Sequence, residues 1–156
     1  MKLRRRTRKK RQRGGQPRLN ATLGTTILQG QRLSLAAARA EPTVTWSAPP
    51  PDAYVTLVCH DPDATAKSWL HWLVVNCTGT DPNSGDTRVE WAPPTPPPGT
   101  GVHHYILQTY THTYKIPPFT LERGYFNPAE FAKTNRLSPL SQTSFTCAAA
   151  PVATAK

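Results

Sequence analysis

Apolar residues fall in short, β-branched runs separated by proline clusters and polar stretches. Tyr54-Val55-Thr56-Leu57-Val58-Cys59 reads as a strand from its branching and length. Trp69 to Asn76 reads as a second strand, apolar on both faces, as expected for a central strand covered on each side. His103 to Thr113 is a third, and Leu140 to Cys147 a last one. Shorter strands are expected around Ala21–Leu28, Arg32–Leu35, Val44–Trp46 and Val89–Trp91, with a polar turn at Thr78–Thr87. Residues 127–133 predict a short helix, with Asn127 as N-cap and Pro128 at the first helical position. The pattern has no internal repeat. Its strands predict a mainly β chain, an antiparallel β-sandwich with one or two short helices.

Composition sharpens this picture at the ends of the chain. Its 156 residues suffice for one domain with a real core, but not comfortably for two. Ten of the seventeen prolines sit in clusters, at Pro49-Pro50-Pro51, Pro93-Pro94, Pro96-Pro97-Pro98 and Pro117-Pro118. Because proline fixes φ and donates no hydrogen bond, these clusters predict loops and strand edges. Ten of the nineteen Lys and Arg residues lie in residues 1–18, and the first acidic residue is Glu41, so the net charge of +10 belongs to the N-terminus. Residues 1–18 read as a disordered basic arm, 19–148 as a β domain and 149–156 as a loose C-terminal tail. Arg4, Arg5, Arg6, Arg8, Lys9, Lys10, Arg11 and Arg13 suit nucleic-acid phosphates (RNA or DNA), an anionic surface or an import receptor. The arm has no aromatic residues, so base stacking and sequence-specific recognition are not expected of it.

Cys59, Cys77 and Cys147 are an odd number without C-x-x-C spacing, which suggests neither a disulfide framework nor a zinc site. A reduced intracellular compartment is expected, with nuclear, mitochondrial ribosomal and virion-associated locations all open. No apolar run approaches the ~20 residues that span a bilayer, and no secretory signal is read at the N-terminus.

Candidate chemistry gathers at strand ends. Residues i and i+2 of a strand share a face, so Trp69 pairs with His71, and His103 with Tyr105. If both strands meet near Asp61, two imidazoles, a phenol, an indole and a carboxylate converge. Such groups donate hydrogen bonds to a phosphate, while the carboxylate biases a neighbouring histidine toward its charged form. Gly99-Thr100-Gly101 allows close backbone approach to a ligand. A carboxylate with two histidines suffices for acid–base chemistry. However, no nucleophile elbow or glycine-rich loop before a helix is present, and Cys59 has no activating base. His60, His104 and His112 are expected to be structural or exposed, without metal-ligand spacing. No catalytic residue, metal or cofactor is expected.

The set Asp61-Pro62-Asp63-Ala64, then Trp69-Leu70-His71-Trp72, then Pro97-Pro98-Gly99-Thr100-Gly101-Val102-His103-His104-Tyr105 resembles the signature motifs of the phosphatidylethanolamine-binding protein family, the Raf kinase inhibitor protein-like proteins. Pro42–Trp46 and the segment containing Phe126, Phe131, Leu137 and Pro139 extend the resemblance to about residues 20–147. It implies a β-sandwich whose pocket binds phosphate, phosphorylethanolamine and similar anions. Carried over, the pocket residues are Asp61, Asp63, Trp69, His71, Pro97, His103 and Tyr105. Thr65 stands where the family usually has proline, His104 replaces an arginine, and Thr95 a frequent glycine. The C-terminal helix of animal members is not recognised, which implies a more open pocket mouth.

Two functions follow as expectations. The first is a non-enzymatic, regulatory binding module for a phosphate-containing small molecule or lipid head group, coupled to a protein partner. The second is a structural component of a nucleic-acid-rich assembly, such as a mitochondrial ribosome or a large virion, anchored by the arm.

Overall fold

The computed structural model describes residues 18–152. The basic residues Arg4 to Arg13 and the last four residues of the tail lie outside them. Two antiparallel sheets form the body. The smaller sheet has the order β2-β1-β3, with β1 at Leu19–Leu23, β2 at Thr26–Ile27 and β3 at Thr43–Trp46. The larger has the order β6-β5-β4-β7-β8, with β4 at Tyr54–Asp61, β5 at Trp69–Cys77, β6 at Asp86–Val89, β7 at Val102–His112 and β8 at Ser138–Ala148. The mainly β, antiparallel sandwich expected from the sequence is the architecture observed.

β4 and β5 are buried along almost their whole length, as their continuous apolar runs require. The face of the large sheet toward the small sheet, here the front, packs Leu57, Cys59, Trp72, Val74, Leu107 and Phe145 against Leu23, Val44 and Trp46. On the rear, Val58, Leu70, Leu73 and Val75 are covered by Ile116, Phe126, Ala132 and Leu137. Asn76 fixes that cover: at φ +59° its side chain donates to Ile116 O (2.9 Å) and accepts from Ile116 N (2.8 Å). Helix α1, Pro128–Thr134, starts where Asn127 Oδ1 accepts from Glu130 N (3.1 Å), the cap read from the sequence.

Three short strands differ from expectation. The run Ala21–Leu28 is interrupted by a turn at Gly24, φ +59°, and becomes the β1–β2 hairpin. In Arg32–Leu35 only Arg32 pairs, with Thr146, because the Ser34 hydroxyl accepts from Ala37 N and starts a turn. The strand expected at Val89–Trp91 lies earlier, at Asp86–Val89, which also shortens the expected turn at Thr78–Thr87. Trp91 leaves the ladder because its ring packs edge-on against Trp72 (6.0 Å). No helix among the described residues is long and apolar enough to cross a membrane.

Candidate ligand-binding site

A β-bulge sets the geometry at the end of the large sheet. Cys59 pairs with Trp72 but His60 pairs with Leu70, so His71 is an extra residue in β5. Trp69, His71 and Trp72 consequently all reach the front. The bulge is fastened by Arg123, which donates to Leu70 O and His71 O (3.1 Å each) and to Glu90 O (2.7 Å). Ala92 adds a reciprocal pair: its N–H donates to His71 O (2.9 Å), and His71 Nδ1 donates to its carbonyl (2.6 Å). With Nδ1 fixed, Nε2 is the ring atom left for a ligand.

Next to His71 is a front cavity of about 220 Å³, lined by Asp61, Trp69, His71, Pro97, His103 and Tyr105 together with Ala64–Ala66, Thr95 and Pro96. The Tyr105 ring meets His71 edge-on at 5.2 Å and stacks on Phe145 at 5.0 Å. Its hydroxyl has no protein partner among the described residues, and burial holds its pKa well above the usual phenol value, so it remains an O–H donor. The alanines and Thr65 leave the rim low, and Trp69 stands 36% exposed beside it.

Below the cavity runs a buried hydrogen-bonded line. His103 Nδ1 donates to Asp61 Oδ2 (2.6 Å), and Asp61 Oδ1 accepts from Asp63 N (2.8 Å). His103 Nε2 lies 2.7 Å from Thr100 Oγ1, which is 2.6 Å from Pro97 O. Carboxylate, imidazole and hydroxyl in a row suggest a nucleophilic triad, but the protons oppose it. A carbonyl oxygen only accepts, so the single Thr100 proton goes to Pro97 O. The hydroxyl oxygen then accepts from His103 Nε2–H, both ring nitrogens are donors, and no base faces Thr100. The line is a hydrogen-bonded chain that holds the loop 97–100 against the sheet.

Burial lowers the pKa of His71, partly offset by its bond to Ala92 and reinforced by the Arg123 charge, so the ring is neutral near pH 7. The buried thiols are inert: burial pushes Cys77 up to about 12 and Cys147 to about 11, and Cys59 higher still. No group of three metal-ligating side chains occurs among the described residues.

Of the seven ligand-binding residues expected from the sequence, the structure brings six to this cavity. Asp63 is not among them. Its carboxylate turns outward to His104, accepting from N (2.8 Å) and Nδ1 (2.7 Å). Burial tends to raise its pKa, but those hydrogen bonds outweigh it and hold the carboxyl below its usual value. Sequence reasoning missed Arg123, Trp91 and the Thr100 hydroxyl. Only Thr100 carried a signal, lying between two glycines three residues ahead of His103.

Comparison with known proteins gives this geometry a setting. Residues 18–147 match the phosphatidylethanolamine-binding protein family. A 26 kDa secreted antigen of Toxocara canis is 39% identical over 87 residues, which cover 52% of this chain and 33% of that protein. The matched segments span from 33% to 46% of the lengths of the curated relatives. Among solved structures, a carboxypeptidase Y inhibitor in complex with its cognate proteinase superposes with a TM-score of 0.74 at 20% identity, covering 84% of this chain and 82% of that one. A phosphatidylethanolamine-binding protein from Plasmodium vivax gives 0.71 at 18%, covering 85% of each chain. At such identities the likeness is one of fold.

Proposed function

The chain belongs to the phosphatidylethanolamine-binding protein family, and on that premise we propose that it is a non-enzymatic, regulatory binding module whose front cavity takes the phosphate of a small molecule or a phospholipid head group. The observation that carries this reading is the uncommitted His71 Nε2 beside the unpaired Tyr105 hydroxyl, both facing a cavity of phosphate size. Tyr105 donates to one phosphate oxygen. His71 Nε2 accepts from a protonated phosphate, or takes up a proton and donates to the dianion. Asp61 and His103 share a hydrogen bond below, so the pair positions loop 97–100 without imposing a net charge on the cavity. The engaged proton of Thr100 argues against acyl transfer. A protein partner remains part of the proposal, supported by the likeness in fold to a protein solved with its proteinase.

The test is a titration of the whole chain with phosphorylethanolamine, followed by histidine ring resonances. Saturable movement of His71, weakened in Tyr105→Phe, supports the reading. No movement at millimolar ligand sinks it. Sedimentation with phosphatidylethanolamine vesicles then separates the lipid source from the free one.

A further inference from the structure

Three residues of the front cavity wall lean on one short segment that never enters the cavity. Residues 123–125 run alongside the start of β5 and the loop before it. Arg123 donates to the carbonyls of Leu70 and His71, and its own carbonyl accepts from Leu70 N (2.8 Å). Gly124 bridges to Trp69, whose ring lies beside it. Tyr125 N donates to Ala66 O (3.0 Å). Ala66, Trp69 and His71 line the cavity, whereas none of residues 123–125 does.

Arg123 reaches furthest of the three. Its guanidinium ties two separate stretches together: Nη1 holds the bulge at Leu70 and His71, and Nη2 donates to Glu90 O (2.7 Å). Two residues beyond Glu90 is Ala92, whose carbonyl takes the His71 Nδ1 proton. The Ala92 N–H meets the same His71 carbonyl that Arg123 holds. Among the described residues the Arg123 side chain makes no ion pair, and each of its hydrogen bonds goes to a main-chain carbonyl. The guanidinium is thus committed to main-chain geometry rather than to a counter-ion. A planar fork of several donors can span these carbonyls, and a single ammonium cannot. Without the fork, the contact that fixes the His71 tautomer loses a brace on both of its partners.

We propose that Arg123 is the positioning residue of the front site, acting through His71: it keeps Nδ1 on Ala92 so that Nε2 faces the cavity as the free acceptor. Its effect on binding rests on the phosphate reading of that cavity; its effect on the ring does not. The test compares the whole native chain with Arg123→Lys, which keeps the charge and loses the fork, and Arg123→Met, which loses both. Ring-nitrogen shifts at neutral pH read the His71 tautomer without ligand, and the His112 resonance at the far end of β7 reports an intact fold. The native chain is expected to hold one form, protonated at Nδ1, and both variants to show an admixture protonated at Nε2. Affinity for phosphorylethanolamine should fall about tenfold in either variant, the lower end of the cost when a ligating histidine loses an orienting partner. Added to His71→Gln, Arg123→Lys should cost less than about twofold, because the two act as one unit. A single native tautomer in both variants overturns the proposal, whatever the ligand does. So does native affinity in Arg123→Lys, or an equal fall with and without His71, which marks a general loss of the cavity wall. A native chain that does not bind phosphorylethanolamine overturns the front-cavity reading instead, and the tautomer then decides the role of Arg123 by itself.

Discussion

The two ends of β7 each bury a histidine, and they serve different purposes. At the rear of one end, His112 donates through Nδ1 to Tyr114 O (2.8 Å), contacts Thr56 Oγ1 through Nε2 (2.8 Å) and stacks on Tyr54 at 5.5 Å. All its hydrogen-bonding capacity is used on neutral protein groups. At the front of the other end, His103 is just as fully engaged, but its partner is a carboxylate and the pair underlies a cavity. His71, on β5 two strands away, keeps one nitrogen in reserve. Burial alone therefore does not separate His71 from His103 and His112; the nitrogen it leaves without a protein partner does.

The largest effect expected is from Asp61→Ala. It leaves His103 buried without its Asp61 partner, a change that typically costs about 3–5 kcal/mol where the two form an ion pair. Chemical denaturation would read it, and a loss below that of a neutral hydrogen bond would mean that His103 is not held as an ion pair. At the opposite end, His112→Phe should cost about 2 kcal/mol, from two neutral hydrogen bonds, and leave phosphorylethanolamine affinity unchanged. An accompanying loss of affinity would erase the distinction between the two ends.

His71→Gln should invert that result. Affinity falls by tenfold or more, worth about 1.4 kcal/mol of binding, while the denaturation midpoint moves little. An equal loss of stability and binding would assign His71 to the fold alone. The smallest effect is one of pH. Burial lowers the folded-state pKa of His60, His71 and His112, so the unfolded chain binds more protons just below their ordinary value of about 6.5. Stability therefore rises with pH through that region, and is lost as pH falls below it until the folded-state pKa values are passed. A bound anion acts in the opposite sense on His71 by favouring its charged form. Phosphorylethanolamine affinity should thus strengthen on acidification from pH 7.5 toward 6.5 more in the native chain than in His71→Gln, read by calorimetry. Parallel profiles would mean that only the ligand titrates.

Much of this was legible in the chain. The β-branched run Tyr54–Cys59 and the doubly apolar Trp69–Asn76 could be buried only as central strands. Asn127-Pro128 marked the start of its helix, because cap chemistry is local. Alternation by two correctly placed Trp69 with His71, and His103 with Tyr105, on one face. Alternation failed at the bulge: it would have sent Trp72 to the rear, whereas His71 and Trp72 both reach the front. Asp63, which the family resemblance carried into the pocket, lies elsewhere because the chain turns after β4 and delivers its carboxylate to His104.

The sequence by itself determined which segments are strands, which face each core residue takes in an unbroken ladder, and which polar residues are available at the strand ends. These are consequences of local sterics and periodicity. Only the tertiary structure decided that Asp61 meets His103 across 42 residues, that Arg123 clamps the bulge from a distant loop, and that His71 spends Nδ1 on Ala92 and keeps Nε2. A hydrogen bond needs its partner within about 3 Å, and which partner comes that close is settled by packing the whole sheet rather than by any one segment of the chain.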